Sequence, residues 1–240
     1  MLTWFLVVHA FFGHSRWFCY QVAKQLKCVV IDADYRKAPE HPFPQPTRDC
    51  QDAAFWIFSQ PDRYDLSRFT VSGFSAGGNL AMGAAAVLGP ERVKAVVSFY
   101  APLNATTPGA SEGRRPPLTK DFRSGVILVP WVFASFFSSY VTPQTDYADP
   151  MLSPQLQPIE KLPKHIMLVC GDTDVMYLDS ADFFEHIQKN GSAEQKANSV
   201  FFVAKNEAHA FDEQPKFPES VEQRDRAYQG AIDMIRASWY

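Results

Sequence analysis

Phe69-Thr70-Val71-Ser72-Gly73-Phe74-Ser75-Ala76-Gly77-Gly78-Asn79-Leu80-Ala81 decides how this chain is read. An apolar run, Phe69–Ser72, stops at a glycine, and a proline-free, alanine-rich stretch of helical character continues to Leu88. Gly73 and Gly77 flank Ser75 at −2 and +2, where side chains would collide if a strand turned sharply into a helix. Only so tight a turn leaves the serine oxygen projecting above a sheet. The N–H of Ala76 would then sit at a positive helix N-terminus, aimed where negative charge develops on a substrate oxygen. Glycine and serine are also common turn residues, so GxSxG alone is a weak signal, and it is the strand before and the helix after that give it weight.

Outward from this turn, further short apolar runs occur at Trp4–Val8, Cys28–Ile31, Ala95–Phe99, His165–Cys170 and Val200–Val203. They lack polar alternation, as strands buried on both faces do. Helical patterning lies between them at Arg16–Leu26, Thr47–Ser59, Ala76–Leu88, Leu178–Asn190 and Glu219–Ser238. Strand alternating with helix predicts an α/β fold, a mostly parallel sheet covered by helices on both faces. At 240 residues and 46% hydrophobic content, one domain spanning 1–240 is the economical expectation. Residues 101–164 break the rhythm: they are proline-rich and carry Val126-Ile127-Leu128-Val129-Pro130-Trp131-Val132-Phe133. That insertion reads either as a lid or pocket wall, or as a plain packed helix with Phe133, Phe136 and Phe137 in the core.

A serine hydroxyl needs a base, and in such folds the acid and histidine follow it along the chain. His209, in a short polar link after the strand Val200–Val203, is the best placed of six histidines, since His186 falls within a helix and His165 at a strand start. The preceding strand leads into Gly171-Asp172-Thr173-Asp174, where Asp174 is the choice to orient the imidazole and Asp172 the alternative. The bland role for an acid in this loop is to cap it, or the next helix, through a backbone hydrogen bond.

Composition narrows the partners. A net charge of −3 offers no basic field for nucleic acid. The apolar opening Met1–Phe12 has no basic flank or small-residue cleavage site and is too short to span a bilayer, so it reads as a buried strand, with a signal anchor the alternative. Cys19, Cys28, Cys50 and Cys170 have no metal-ligand spacing, which suits a reducing, cytoplasmic setting with no metal and no organic cofactor. A small-molecule substrate is the expectation.

Together these residues resemble the hormone-sensitive-lipase-like branch of the α/β hydrolases, which includes carboxylesterases and arylacetamide-deacetylase-type enzymes. The likeness runs over most of the chain. Its most specific stretch is Asp34-Tyr35-Arg36-Lys37-Ala38-Pro39-Glu40-His41-Pro42-Phe43-Pro44, followed in family order by the Ser75 turn, Asp149-Pro150-Met151-Leu152-Ser153-Pro154, the Asp174 loop and His209-Ala210-Phe211. The Tyr35–Pro44 block reads as structural, a proline-stiffened loop that an Arg36–Glu40 pair can hold. The resemblance implies an α/β-hydrolase fold and a serine hydrolase acting on carboxylic esters with small apolar or aromatic groups. Ser75 would attack, His209 would move the proton, Asp174 would hold the imidazole, and the N–H groups of Ala76, Ala10 and Phe11 would form the oxyanion hole.

Two departures qualify this. The family's glycine-rich oxyanion segment is represented by Val8-His9-Ala10-Phe11-Phe12, and the simplest alignment deletes two glycines between His9 and Ala10. Losing one oxyanion donor costs about 10²–10³-fold in turnover, so a slow enzyme is one expectation. The chain also begins almost at this motif, which implies an open pocket or a truncated product and leaves a sheet edge on which a second copy could pair to form a homodimer. A smaller difference is Phe74, where the family commonly has an acidic residue. Rival readings are an amide or formamide hydrolase with the same triad, and a non-hydrolytic protein of this fold that binds a small ligand.

Overall fold

The computed structural model describes residues 2–8, 13–106 and 122–240. Six strands form one sheet: β1 (Leu2–Val8), β2 (Val29–Ala33), β3 (Tyr64–Phe74), β4 (Ala95–Phe99), β5 (His165–Gly171) and β6 (Ser199–Ala204). Their spatial order is β2-β1-β3-β4-β5-β6, and every neighbouring pair is parallel. All six therefore end on the same side, where loops of such sheets carry ligands. The expected parallel α/β architecture is what the chain adopts.

Successive strand residues point to opposite faces, and the two halves of the core follow that alternation. On one face Val96, Ile166 and Leu168 pack with Cys50, Ala54 and Ile57 of α2 (Gln45–Phe58), Leu80 of α3 (Ala76–Leu88) and Phe183 of the helix Tyr177–Asn190. On the other, Val97, Phe99, Met167 and Val169 meet Phe18 and Val22 of α1 (Arg16–Leu26) and Ile232 and Ile235 of the C-terminal helix Pro218–Ser238. Phe18 is central there, with ring centroids 5.4 Å from Phe74 and 5.3 Å from Phe99. Truncating so buried a ring costs about 3–5 kcal/mol.

The differences from the sequence expectation have local causes. β3 is longer than Phe69–Ser72 because its first half runs beside β1 through a register irregularity between Thr3 and Phe5, where polar Asp65 and Arg68 hide the strand pattern. Helix α4 (Pro130–Tyr140) begins at a proline, whose missing N–H costs nothing at a first helical position. Helix α5 (Tyr177–Asn190) starts one residue before the expected Leu178. A short α6 (Ala193–Asn198) precedes β6, nucleated by a reciprocal cap in which the Ser192 side chain accepts from Gln195 N and Gln195 returns a bond to the Ser192 backbone. Helix α7 (Pro218–Ser238) closes the chain.

The Tyr35–Pro44 loop is held otherwise than expected. Arg36 pairs with Asp49 of α2, not with Glu40: its Nη2 lies 2.6 Å and its Nε 3.0 Å from the carboxylate, and its backbone N–H donates to the same group at 2.9 Å. The planar guanidinium suits such a forked contact. No helix among the described residues is long and apolar enough to cross a membrane, and the four cysteines are free thiols.

Candidate active site

The site is built at the β3–α3 junction. Ser75 adopts φ +52° and ψ −124°, a conformation that L-residues avoid unless their surroundings enforce it. Enforcement is visible: its N–H donates to Phe99 O of β4 at 2.9 Å, and its own carbonyl accepts from Gly78 N at 2.9 Å. Gly73 is required because a Cβ there would lie 2.0 Å from the Gly77 carbonyl oxygen. Ala76, the first residue of α3, lines the adjoining cavity with Ser75, at the end of the helix where N–H groups have no intrahelical acceptor.

The loops after β5 and β6 bring the other two residues to the serine. His209 Nε2 lies 2.9 Å from Ser75 Oγ, and its Nδ1 lies 2.8 Å from Asp174 Oδ2. With Nδ1–H donating to the carboxylate, Nε2 is left to accept the serine proton. Asp174 is itself fixed, its Oδ1 accepting from Met176 N at 2.9 Å, and both it and His209 are buried. Burial alone would push the imidazole pKa down; attraction to Asp174, their hydrogen bond, and the charges of Asp212 and Glu213 outweigh it and raise the pKa above the ordinary value. Asp172, the alternative acid, instead accepts from Asn206 N at 2.7 Å and ties the two loops together.

Two supporting groups have no evident signal in the sequence. Asp212 is buried and accepts from the hydroxyls of Tyr100 and Tyr228 at 2.7 and 2.6 Å, while the Tyr100 ring stands edge-on to His209 with centroids 4.8 Å apart. Burial pushes the Asp212 carboxyl pKa up, against the pull of those two hydroxyls. Glu207, fully buried, accepts from Ser124 N at 3.0 Å and Ser220 Oγ at 2.8 Å, with Arg123 Nε 3.3 Å away. Val126 N donates to His209 O at 2.7 Å, so the strap 122–126 holds the histidine loop from behind.

The cavity over Ser75 has a volume of about 890 Å³. Phe133, Phe136 and Phe137 of α4 line it, and Phe133 also packs against the core, so this helix contributes mainly to the cavity wall, with Trp131 and Phe136 71% and 67% exposed. The Asp149–Pro154 motif supports another part of the lining. Leu152 lines the cavity and its carbonyl accepts from Asn79 Nδ2 at 2.9 Å, while buried Ser153 Oγ accepts from Ala105 N at 2.9 Å. Asp179 of α5 also lines the cavity, accepting from Leu103 N and Asn104 N at 2.9 and 3.2 Å. Burial lifts its pKa to about 6 against those two bonds.

Ala10 and Phe11, expected in the oxyanion hole, lie outside the described residues. Among the described residues no group of three or more His, Cys, Asp or Glu side chains is arranged to hold a metal ion.

The chain as a whole has known relatives. Residues 5–212 match the family described as alpha/beta hydrolase fold. Ethyl acetate hydrolase of Pseudomonas putida is 28% identical over 181 residues, which cover 75% of this chain and 56% of that protein. Carboxylesterase 20 of Arabidopsis thaliana is 28% identical over 195 residues, covering 72% of this chain and 57% of that protein. The chain thus spans little more than half the length of these relatives. Among solved structures, the hyperthermophilic esterase from the archaeon Pyrobaculum calidifontis superposes with a TM-score of 0.80 at 25% identity, over 98% of this chain and 75% of that one. On its sequence match and its sheet, the chain belongs to the hormone-sensitive-lipase-like branch of the α/β-hydrolase fold family.

Proposed function

We propose that this protein is a serine hydrolase of carboxylic esters, acting through an acyl-enzyme on Ser75. The observation that carries the reading is the line Ser75 Oγ, His209 and Asp174, with contacts of 2.9 and 2.8 Å, on a backbone turn held in a strained conformation. His209 Nε2 takes the hydroxyl proton as Oγ bonds to the ester carbonyl carbon, and the imidazolium that forms is stabilised by Asp174. The carbonyl oxygen becomes an oxyanion, for which the Ala76 N–H at the start of α3 is a donor and the Ala10 and Phe11 backbone supplies the remainder. Collapse expels the alcohol, which receives the proton from Nε2. A water then repeats the sequence on the acyl-enzyme, giving the carboxylic acid and free Ser75.

The aromatic wall from Phe133, Phe136 and Phe137 favours apolar acyl or aryl groups, and residues 101–164 act as the lid-like part of one hydrolase domain. Hydrolysis of 4-nitrophenyl acetate through hexanoate, run beside an aryl formamide and an anilide, tests this. Ester turnover lost in Ser75→Ala is the expected result. Turnover of the formamide or anilide alone would move the reading to amide chemistry, and no turnover of any by folded protein would overturn it.

A further inference from the structure

An apolar cavity serves the proposed reaction, yet one lining group is not explained by it. Asp179 carries a carboxylate into a wall that is otherwise largely aromatic and aliphatic. Its Oδ2 accepts the N–H groups of Leu103 and Asn104 at 2.9 and 3.2 Å, and among the described residues no basic side chain pairs with it. The charges of Asp182 and Asp174 both repel its ionised form. Other charged or basic groups on the lining have close partners: Lys37 contacts Asp34 and stands over the Tyr35 ring, Glu213 lies 3.3 Å from His14, and His209 lies 2.8 Å from Asp174.

A partly buried carboxylate with no cation beside it attracts one that enters the cavity. The surroundings also specify what kind. Phe133, Phe137 and Tyr140 line the same cavity, and aromatic faces attract organic cations, above all alkylated ammonium groups. A carboxylate-bearing substrate would meet repulsion in the same place.

We propose that Asp179 sets the substrate class of this cavity: esters carrying an organic ammonium group, which seats against the Asp179 carboxylate and the aromatic wall while the ester carbonyl lies at Ser75. This rests on the ester-hydrolase reading, and the test separates the two.

Choline butyrate and its uncharged carbon isostere, 3,3-dimethylbutyl butyrate, differ only in ammonium nitrogen against carbon, and acid release in a pH-stat reads both. The wild type is expected to favour the choline ester by roughly 10-fold or more in kcat/KM. In Asp179→Asn, whose amide oxygen still accepts from Leu103 and Asn104, that ratio should fall toward one, and Asp179→Glu should restore part of it. The ratio is internal to each variant, so a change in active fraction does not move it. Should Asp179→Asn fail to fold, inhibition of the wild type by tetramethylammonium but not by neopentyl alcohol supports the assignment, and equal inhibition overturns it. A wild-type ratio near or below one, or a ratio unchanged in folded Asp179→Asn, also overturns it. If the wild type cleaves neither ester, turnover of 4-nitrophenyl butyrate decides whether the hydrolase reading itself fails. Calorimetric titration with benzyltrimethylammonium then decides the inference alone: binding that Asp179→Asn abolishes supports it, and no binding sinks it.

Discussion

Gly73→Ala is the substitution for which the structure gives the sharpest consequence. The added Cβ would sit 2.0 Å from Gly77 O, 2.3 Å from Gly77 C and 2.7 Å from Gly78 N, all backbone atoms of the first turn of α3. Ordinary contact needs about 3.4 Å or more, so the strand end and the helix start must part by about 1.4 Å. No side chain can rotate to absorb this. Overpacking of this kind costs about 1–3 kcal/mol, and a lowering of Tm by roughly 2–4 °C for each kcal/mol follows in a chain of this size. The effect on Ser75 is larger in kind, because it lies between the two elements and a misplacement of about 1 Å at a reacting group costs on the order of 10²-fold. Second-order rates of fluorophosphonate labelling, measured with thermal melts, read both effects. Gly230→Ala is the control, since its Cβ would first meet the flexible Met167 Cε at 3.2 Å, and it should leave labelling unchanged. Wild-type labelling and Tm in Gly73→Ala would refute the reasoning.

Asp174→Asn should lower ester turnover by about 10⁴-fold with Tm little changed, because the amide favours the wrong imidazole tautomer, whereas Asp172→Asn should stay within a few-fold. The His209 pKa is raised in the folded protein, so kcat/KM should rise with pH through a midpoint above the ordinary imidazole value of about 6.5, and Asp212→Asn should move that midpoint down. The sign for stability is the opposite: the raised pKa contributes stability fully present below the unfolded value and lost as pH rises through the folded one, visible as a smaller Tm loss over that window in His209→Ala. Glu207→Ala strands the Ser124 N–H, Ser220 and Arg123, and should cost about 3–5 kcal/mol, with faster amide exchange at Ser124 and Val126. Phe136→Ala, at a 67% exposed position, should barely change Tm but alter KM for long acyl chains.

Much of this molecule is legible in its sequence because the decisive features are local. The strand-turn-helix around Ser75 is dictated by Gly73 and the alanines beyond, and loops after consecutive parallel strands must converge, which brings Asp174 and His209 within reach. What escapes local reading is made by partners far apart in the chain. Arg36 pairs thirteen positions away with Asp49 where nearby Glu40 offered the same charge. The Tyr100, Asp212 and Tyr228 cluster joins a strand end, a loop and a helix, and nothing at any one of these residues announces the others. Helix α4 shows the limit of hydrophobicity as a guide: its phenylalanines suggest core as readily as cavity wall, and only the fold places them over Ser75.

The most direct test of the central claim is intact mass after incubation with a fluorophosphonate. A nucleophilic Ser75 activated by His209 predicts one adduct on the wild type, located at Ser75, and none on folded Ser75→Ala or His209→Ala over the same time. An adduct that persists in Ser75→Ala, or its absence from folded wild type, would contradict the account.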